Sequence, residues 1–345
     1  MKKEHILVIR FSALGDVAMT VPVVASLARE YPDVRITVLS RELVRPLFDG
    51  LPANVGFMSA DLKGEHRGVR GLNALFRRLV AKRFTAVADL HDVLRSKYLR
   101  MRFNLADYRV EHIDKHRQEK RRLTSSKDKD LRPLTSAMEA YADVFARLGY
   151  PIHDIRYEGH FDEPLPMLDN PLRCSPLIGI APFAAHEGKI YPLPLMQQVI
   201  DLLCERHKDA AIFLFGGGQR ETDVFHEWAA RHAQCVVVAD HLGGFSQELS
   251  LMSRLHAMIS MDSANMHLAS LAGTPVVSVW GATHPYAGFM GYDQSLDNAV
   301  QADLPCRPCS IYGSKPCRRG DWACLNTITP LSIVEKTERL LPSRR

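Results

Sequence analysis

Asp262-Ser263-Ala264-Asn265-Met266-His267 ends one apolar run and opens another, Leu268-Ala269-Ser270-Leu271-Ala272-Gly273-Thr274-Pro275-Val276-Val277. Upstream, residues 255–261 read as a buried strand. Downstream, residues 267–272 read as a helix that stops at Gly273. An acidic residue, a hydroxyl and a small residue therefore stand where a strand hands over to a helix N-terminus. In an α/β protein anions bind at such a place, because free backbone N–H groups and the positive end of the helix dipole converge there. A plainer role competes: Asp262 or Ser263 would simply cap the helix.

The same alternation of strand and helix recurs on both sides of this stretch. Residues 177–182 read as a strand, 194–207 as a helix, and 211–215 as a strand running into Gly216-Gly217-Gly218. A helix over 221–232, a strand over 235–238 and a helix over 246–254 follow, and 276–281 closes the series. In the first half, strands at 6–9, 36–39 and 86–90 alternate with helices at 17–31, 41–48 and around 72–81, with a turn at 11–16. Such alternation implies parallel sheets with crossover helices. A Pro- and acid-rich stretch at 162–171 reads as the linker between the halves. The expected architecture is two α/β domains around a cleft, 1–165 and 172–330. A C-terminal piece, 331–345, would carry a helix packing back across them. A chain of 345 residues accommodates two domains of roughly 100–200 residues each.

Composition excludes the disordered and fibrous classes, with 46% hydrophobic and 24% charged residues. Met1-Lys2-Lys3-Glu4-His5 leads into a short strand rather than the roughly 7–15-residue apolar core of a signal peptide. No apolar run approaches the ~20 residues of a membrane span. The expectation is a cytoplasmic protein, at most resting on a membrane surface. Residues 1–150 carry 28 Lys and Arg against 18 Asp and Glu, whereas residues 151–345 carry 16 against 21. The basic half suggests an anionic partner, a phosphorylated lipid or sugar or a nucleic acid. Its densest part, between Arg95 and Arg132, includes Arg117, Lys120, Arg121 and Arg122 and reads as anion-binding. The hexapeptide at 125–130 reads as a solvated loop. No nucleic-acid module or aromatic interleaving is present, so nucleic acid is not an expected partner.

Cys306-x2-Cys309-x7-Cys317-x6-Cys324 lies in a Pro/Gly/Arg-rich segment without periodicity. In a reducing compartment four such thiols are a candidate structural zinc site more than a disulfide pair; unligated thiols packing a loop are the alternative. Cys174, Cys204 and Cys235 are isolated and read as core or incidental.

Arg10-Phe11-Ser12-Ala13-Leu14-Gly15-Asp16 follows the first strand, and open α/β sheets bind ligands at the carboxyl ends of their strands. Asp16 at the helix entrance suits a base for a hydroxyl nucleophile, or equally a helix cap. The segment lacks the G-x-G-x-x-G spacing of a dinucleotide site, and Gly216-Gly217-Gly218 lacks the Gly-Lys-Ser/Thr ending of an ATPase loop. His186-Glu187-Gly188-Lys189 follows the first strand of the second half. Lys189 is there a point charge for a phosphate, or a surface lysine. With the 262–267 helix start it forms a plausible diphosphate cradle.

Taken together, these segments resemble glycosyltransferase family 9, the lipopolysaccharide heptosyltransferases. The resemblance spans nearly the whole chain. It rests on Ile-Arg-Phe-Ser-Ala-Leu-Gly-Asp at 9–16, the Lys189 loop ending in Tyr191-Pro192, the 262–267 motif with its Gly273-Thr274-Pro275 tail, Gly281-Ala282-Thr283-His284-Pro285, and the late cysteines. It implies a GT-B fold, two Rossmann-like domains facing across a cleft, with acceptor in the N-terminal domain and nucleotide sugar in the C-terminal one. It further implies inverting transfer with no cofactor and no catalytic metal, moving a heptose from ADP-heptose to the inner core of lipopolysaccharide. Asp16 would be the base and Lys189 would steady the leaving diphosphate. Glu221, Asp262, Ser263, Ala264 and His267 would bind the donor. Arg10, Ser12, His91, Arg95, Arg117 and Arg121 would bind an anionic glycolipid acceptor at the inner leaflet of a Gram-negative bacterium's inner membrane. The chain departs from the family at Ala264, where a glycine is common. It departs again at His91-Asp92-Val93-Leu94-Arg95-Ser96, where Gln-Gly-Leu-x-Lys/Arg-Ser is frequent. Another nucleotide sugar or glycan acceptor, or a non-catalytic nucleotide-sugar or anionic-lipid binding protein, are the alternatives.

Overall fold

The computed structural model describes residues 4–342. The chain forms two units, the first taking in the residues up to Lys115 together with Thr135–Glu158, the second His116–Leu134 and the residues from Gly159 onward. The first unit holds β1 (His5–Ile9), β2 (Arg35–Ser40), β3 (Val55–Ser59), β4 (Ala86–Asp89) and β5 (Arg109–His112). They form one sheet of order β3-β2-β1-β4-β5, parallel at every pairing. The second unit holds β6 (Leu177–Ala181), β7 (Ala211–Leu214), β8 (Cys235–Val237), β9 (Ala257–Met261), β10 (Val276–Trp280) and β11 (Ala299–Gln301). Their order is β11-β10-β9-β6-β7-β8, again all parallel. Both sheets are doubly wound, and the strand order reverses between β1 and β4 in one and between β6 and β9 in the other. A crevice opens at such a reversal, outside the carboxyl ends of the two strands, and ligands bind there.

Central strands are continuous apolar runs because helices cover both faces of a parallel sheet. Every residue of β1, β6, β9 and β10 is buried. The edge strands are another matter. The sequence reading has no β3, β5 or β11; β5 is Arg-Val-Glu-His and β11 only three residues long, so neither shows a hydrophobic period. The expected helix at 17–31 is two helices, Leu14–Ala18 and Thr20–Glu30. Pro22 has no N–H to give the carbonyl of Ala18, and the ladder restarts there.

Three expectations about boundaries need correction. The stretch His116–Leu134 lies inside the expected first domain, yet it belongs to the second unit. Lys129 Nζ donates to the carbonyls of Pro305 (3.0 Å), Arg307 (2.6 Å) and Pro308 (3.1 Å), and the Leu134 N–H donates to the carbonyl of Tyr286 at 2.9 Å. Lys120 sits 4.7 Å from the centre of the Phe289 ring, within cation–π range. The hexapeptide at 125–130 is thus tied down through Lys129 rather than freely solvated. The expected linker at 162–171 is also packed into the second unit, with Leu165 and Leu168 buried and the Glu163 N–H bonded to Ser250 Oγ at 2.9 Å. Finally, the last helix, Pro330–Glu338, is no separate piece but part of the second unit. Ile333 and Val334 are fully buried in the second unit's core with Tyr191, Met196 and Ile200. The Tyr191 hydroxyl donates to the Ile328 carbonyl at 2.7 Å just before that helix begins.

Candidate active site

In the first unit the loops after β1 and β4 meet at the strand-order reversal. Arg10, the residue after β1, is buried. Its guanidinium donates to the Leu90 carbonyl after β4 at 2.6 Å and pairs with Asp16 Oδ2 at 2.6 Å. The Ala13 N–H donates to the same Oδ2 at 3.1 Å. Of the two roles expected of Asp16, the structure shows the capping contact. It reaches back to the N-cap backbone, half of a capping box, while Arg10 holds the same carboxylate. Ala13 itself has no side-chain oxygen and cannot cap the helix Leu14–Ala18.

His91, also buried, accepts the Phe11 N–H at Nδ1 (3.4 Å) and has Nε2 at 3.4 Å from Ser12 Oγ. With Nδ1 accepting, the proton is on Nε2. Burial, then the charges of Arg10 and Lys115, push its pKa down to about 3, with Asp16 and Asp92 acting in opposition. A neutral imidazole of such low basicity is a poor proton acceptor. Beneath it Asp89, fully buried, accepts the N–H groups of His91 (2.9 Å) and Asp92 (3.0 Å) and pairs with Arg100 at 3.2 Å. Asp89 and Arg100 are missing from the sequence reading, although Asp89 ends a strand at the reversal and was visible there as a charge within an apolar run.

The structure does not bring all six expected acceptor residues together. Arg10, Ser12 and His91 form one cluster, and Arg95 is exposed in the first turn of the helix Leu94–Leu105, close after it in sequence. Arg117 and Arg121 lie on the helix Arg117–Leu123, which belongs to the second unit and not to the first as expected. The cause is the Lys129 anchor, which sequence proximity to Arg95 does not reveal.

In the second unit the loops after β6 and β9 also meet at the reversal. The Lys189 ammonium pairs with Asp262 Oδ2 at 2.9 Å, the two side chains being 16% and 4% exposed. Asp262 is therefore not the helix cap. Ser263 occupies the N-cap position of Ala264–Leu271, but its hydroxyl makes no capping bond and lies 3.3 Å from Ser260 Oγ. The first N–H groups of this helix are left without a side-chain cap, which is what an anion site requires. Ala264 opens the helix and His267 is buried within it. The helix ends before Gly273, whose φ of +79° is the left-handed conformation of a glycine stop. Glu221 folds back to accept the Gly217 N–H at 2.9 Å and so shapes the Gly216-Gly217-Gly218 turn after β7.

Parts of the cysteine segment support this site. Gly313 has φ +74°, and a Cβ there would stand 2.4 Å from Lys189 Cγ, so only glycine lets the loop lie along the lysine stem. Arg307 is buried and donates to the carbonyls of Gly281 (2.6 Å), Trp280 (3.1 Å) and Thr283 (2.9 Å), fastening the turn after β10. His284 accepts the Tyr286 N–H at Nδ1 (3.1 Å). Burial, then Arg307 and Lys129, push its pKa down to about 4. Neither Gly313 nor Arg307 carries a sequence signal; one is a glycine in an irregular loop, the other an arginine among many.

The four late cysteines line a cavity of about 300 Å³ shared with Thr124, Lys129 and Trp322. Burial pushes the Cys324 thiol up to about 11. At Cys317 desolvation acts upward, but the N–H groups of Trp322, Arg319, Gly320 and Asp321 together lower its pKa. Among the described residues no three His, Cys, Asp or Glu side chains are arranged to hold one metal ion. The Lys129 ammonium that borders this cavity donates to the Pro305, Arg307 and Pro308 carbonyls of the same segment.

A profile of glycosyltransferase family 9 (heptosyltransferase) matches residues 72–318. The chain is 22% identical over 310 residues to the lipopolysaccharide core heptosyltransferase OpsX of Haemophilus influenzae, which covers 86% of this chain and 84% of that one. Among solved structures it is similar to a glycosyl transferase family 9 protein of Veillonella parvula, with a TM-score of 0.76 at 19% identity over 99% and 98% of the two chains. It is also similar to Escherichia coli heptosyltransferase WaaC with ADP, with a TM-score of 0.67 at 16% identity over 97% and 99%. These likenesses establish a GT-B fold with two Rossmann-like units.

Proposed function

The chain belongs to glycosyltransferase family 9, the heptosyltransferases, and from that premise we propose that it moves a heptose from ADP-heptose to the inner core of lipopolysaccharide, inverting the anomeric carbon without a metal ion. The observation that carries this reading is the Lys189–Asp262 pair at the uncapped start of Ala264–Leu271, on the β6/β9 reversal. A cation and a helix N-terminus at one place receive a departing diphosphate, and they supply the positive charge that a divalent ion supplies elsewhere. The E. coli relative WaaC was solved with ADP, which agrees with an adenine nucleotide as the leaving group.

In the reaction, an acceptor hydroxyl attacks the anomeric carbon from the face opposite the diphosphate. Its proton passes to Asp16 Oδ1 as the carbon–oxygen bond forms. The bond from the anomeric carbon to the β-phosphate oxygen breaks, and its electron pair leaves on ADP, where Lys189 and the helix N–H groups stabilise the growing charge. Arg10 and the Ala13 N–H hold Oδ2 and so aim Oδ1. Neutral His91 positions Ser12. Glu221 and the glycine turn it shapes lie at the carboxyl end of β7, on the side where the adenosine would extend. The acceptor is an anionic glycolipid reached at the inner leaflet. Among the described residues no helix is long and apolar enough to cross a membrane.

The test is a thermal-shift series with ADP-, UDP-, GDP- and dTDP-linked ligands, followed by mass analysis of a lipid A-linked acceptor incubated with ADP-heptose. A ligand that binds the folded state raises its apparent stability. Selective stabilisation by the adenine nucleotide and a one-heptose mass gain are expected. Preference for another nucleotide would overturn the donor assignment, and binding without transfer would favour a non-catalytic binding protein.

A further inference from the structure

Two helices of the first unit, Gly68–Val80 and Leu94–Leu105, pack side by side. The Phe76 and Phe103 rings meet edge to face at 4.9 Å, the Arg102 guanidinium lies 4.6 Å from the Phe76 centroid, and the Tyr98 hydroxyl donates to Asn73 at 2.9 Å. The second helix buries Ser96, Leu99 and Phe103. At about 100° per residue, Leu94, Met101 and Leu105 fall within about 40° of one another on the opposite pole. Leu94 is 88% exposed and Leu105 79%, with Met101 about half exposed. On the first helix Val69 and Val80 are exposed too, on the side of Phe76 and hence toward the second helix. A helix on a soluble surface turns polar residues outward. Here the outward pole is aliphatic.

The charge carried by the two helices themselves has one sign, with Glu65, Asp92 and Asp107 at their ends. Neither helix contains an Asp or Glu, and none occurs from His66 to Ala88. Arg67, Arg70, Arg77, Lys82, Arg83 and Arg95 are all exposed.

We infer that this two-helix face docks the protein on an anionic bilayer surface, the aliphatic ridge entering the boundary between headgroups and acyl chains while the arginines meet the lipid phosphates. The inference rests on the lipid-linked acceptor of the proposed function and gives that acceptor a place of arrival. Leu94 and Arg95 come two and three residues after Asp92, so the ridge starts near the carboxyl end of β4, which Arg10, paired with Asp16, meets through the Leu90 carbonyl. A nucleic acid would satisfy the arginines but would leave five exposed aliphatic side chains without a partner. A bilayer satisfies both.

The experiment is co-sedimentation of the full chain with vesicles of phosphatidylcholine containing phosphatidylglycerol, against vesicles of phosphatidylcholine alone. Two variants are compared, Leu94→Ser/Met101→Ser/Leu105→Ser and Arg70→Glu/Arg77→Glu; all five side chains are exposed and none belongs to the candidate site. The wild type should favour the anionic vesicles, and each variant should lower the partition coefficient by about tenfold or more. ADP-induced thermal stabilisation and heptose transfer to a detergent-dispersed acceptor should stay unchanged. Wild-type binding by the triple serine variant, or equal binding to neutral vesicles, would overturn the docking face. So would RNA binding that tracks the Arg→Glu variant and ignores the serine variant. Loss of transfer activity in the wild type, with vesicle binding intact, would instead strike the proposed function and leave the docking face standing.

Discussion

Replacing Lys189 by methionine keeps much of the stem that packs along Gly313 and removes the charge opposite Asp262. The carboxylate left behind is almost wholly buried. Breaking a fully buried pair costs roughly 3–5 kcal/mol, but Lys189 is partly exposed and water can reach the vacated side, so about 2 kcal/mol is the expected loss. For a unit of this size that corresponds to a fall of about 4–8 °C in melting temperature. Asp262→Asn in the same background removes the stranded charge and should recover most of that stability. Turnover should behave differently. In the proposed reaction Lys189 stabilises the departing diphosphate, so Lys189→Met should lose about 10²–10³-fold in kcat, and the double variant should stay equally slow. Thermal melts and steady-state transfer assays on the two single variants and the double variant separate the two roles. If the double variant regained both stability and turnover, Lys189 would serve only to neutralise Asp262. If Lys189→Met melted like the wild type, the pair would not contribute to the fold at all.

Asp16→Asn should lower kcat by about 10²–10⁴-fold while ADP still raises the melting temperature as in the wild type; a variant retaining most of its turnover would remove Asp16 as the base. Gly313→Ala forces a Cβ against Lys189 Cγ at a residue with positive φ, so it should both destabilise the protein by about 1 kcal/mol and slow transfer, as melts and kcat will show. His91 and His284 are held down at about 3 and about 4, mainly by burial, against 6.5 in an open chain. Below pH 6.5 the unfolded chain binds protons that the folded one refuses, so their contribution is complete above that pH and is lost as pH falls toward 4. Urea unfolding from neutral pH down to about 4.5 should show the decline, and His284→Asn, which keeps an acceptor for the Tyr286 N–H, should make it shallower; an unaltered slope would mean His284 is not held neutral.

Much of the site was legible because ligand positions in a doubly wound sheet follow from strand order. Asp16 and Lys189 could be placed at the ends of β1 and β6 from the apolar runs alone, and the 262–267 stretch at the end of β9. Arg307 and Gly313 could not, since their roles depend on which carbonyls and which lysine stem they meet far away in the chain. The placement of Arg117 and Arg121 in the first domain failed for the same reason, because three backbone carbonyls around Arg307 hold Lys129 and draw that segment into the second unit.

By itself, then, the sequence determined the alternation of buried strands with helices, and with it the two parallel sheets and the strand ends where chemistry sits. These are local matters, set by hydrophobic period and by the residues that stop a helix. Only the tertiary structure decided that Asp262 pairs with Lys189 instead of capping its helix, and that the last helix joins the second unit's core. It also decided that an aliphatic ridge among arginines is turned outward. Those outcomes depend on what lies opposite each side chain once the chain is folded, and local sequence does not encode the neighbour across a loop.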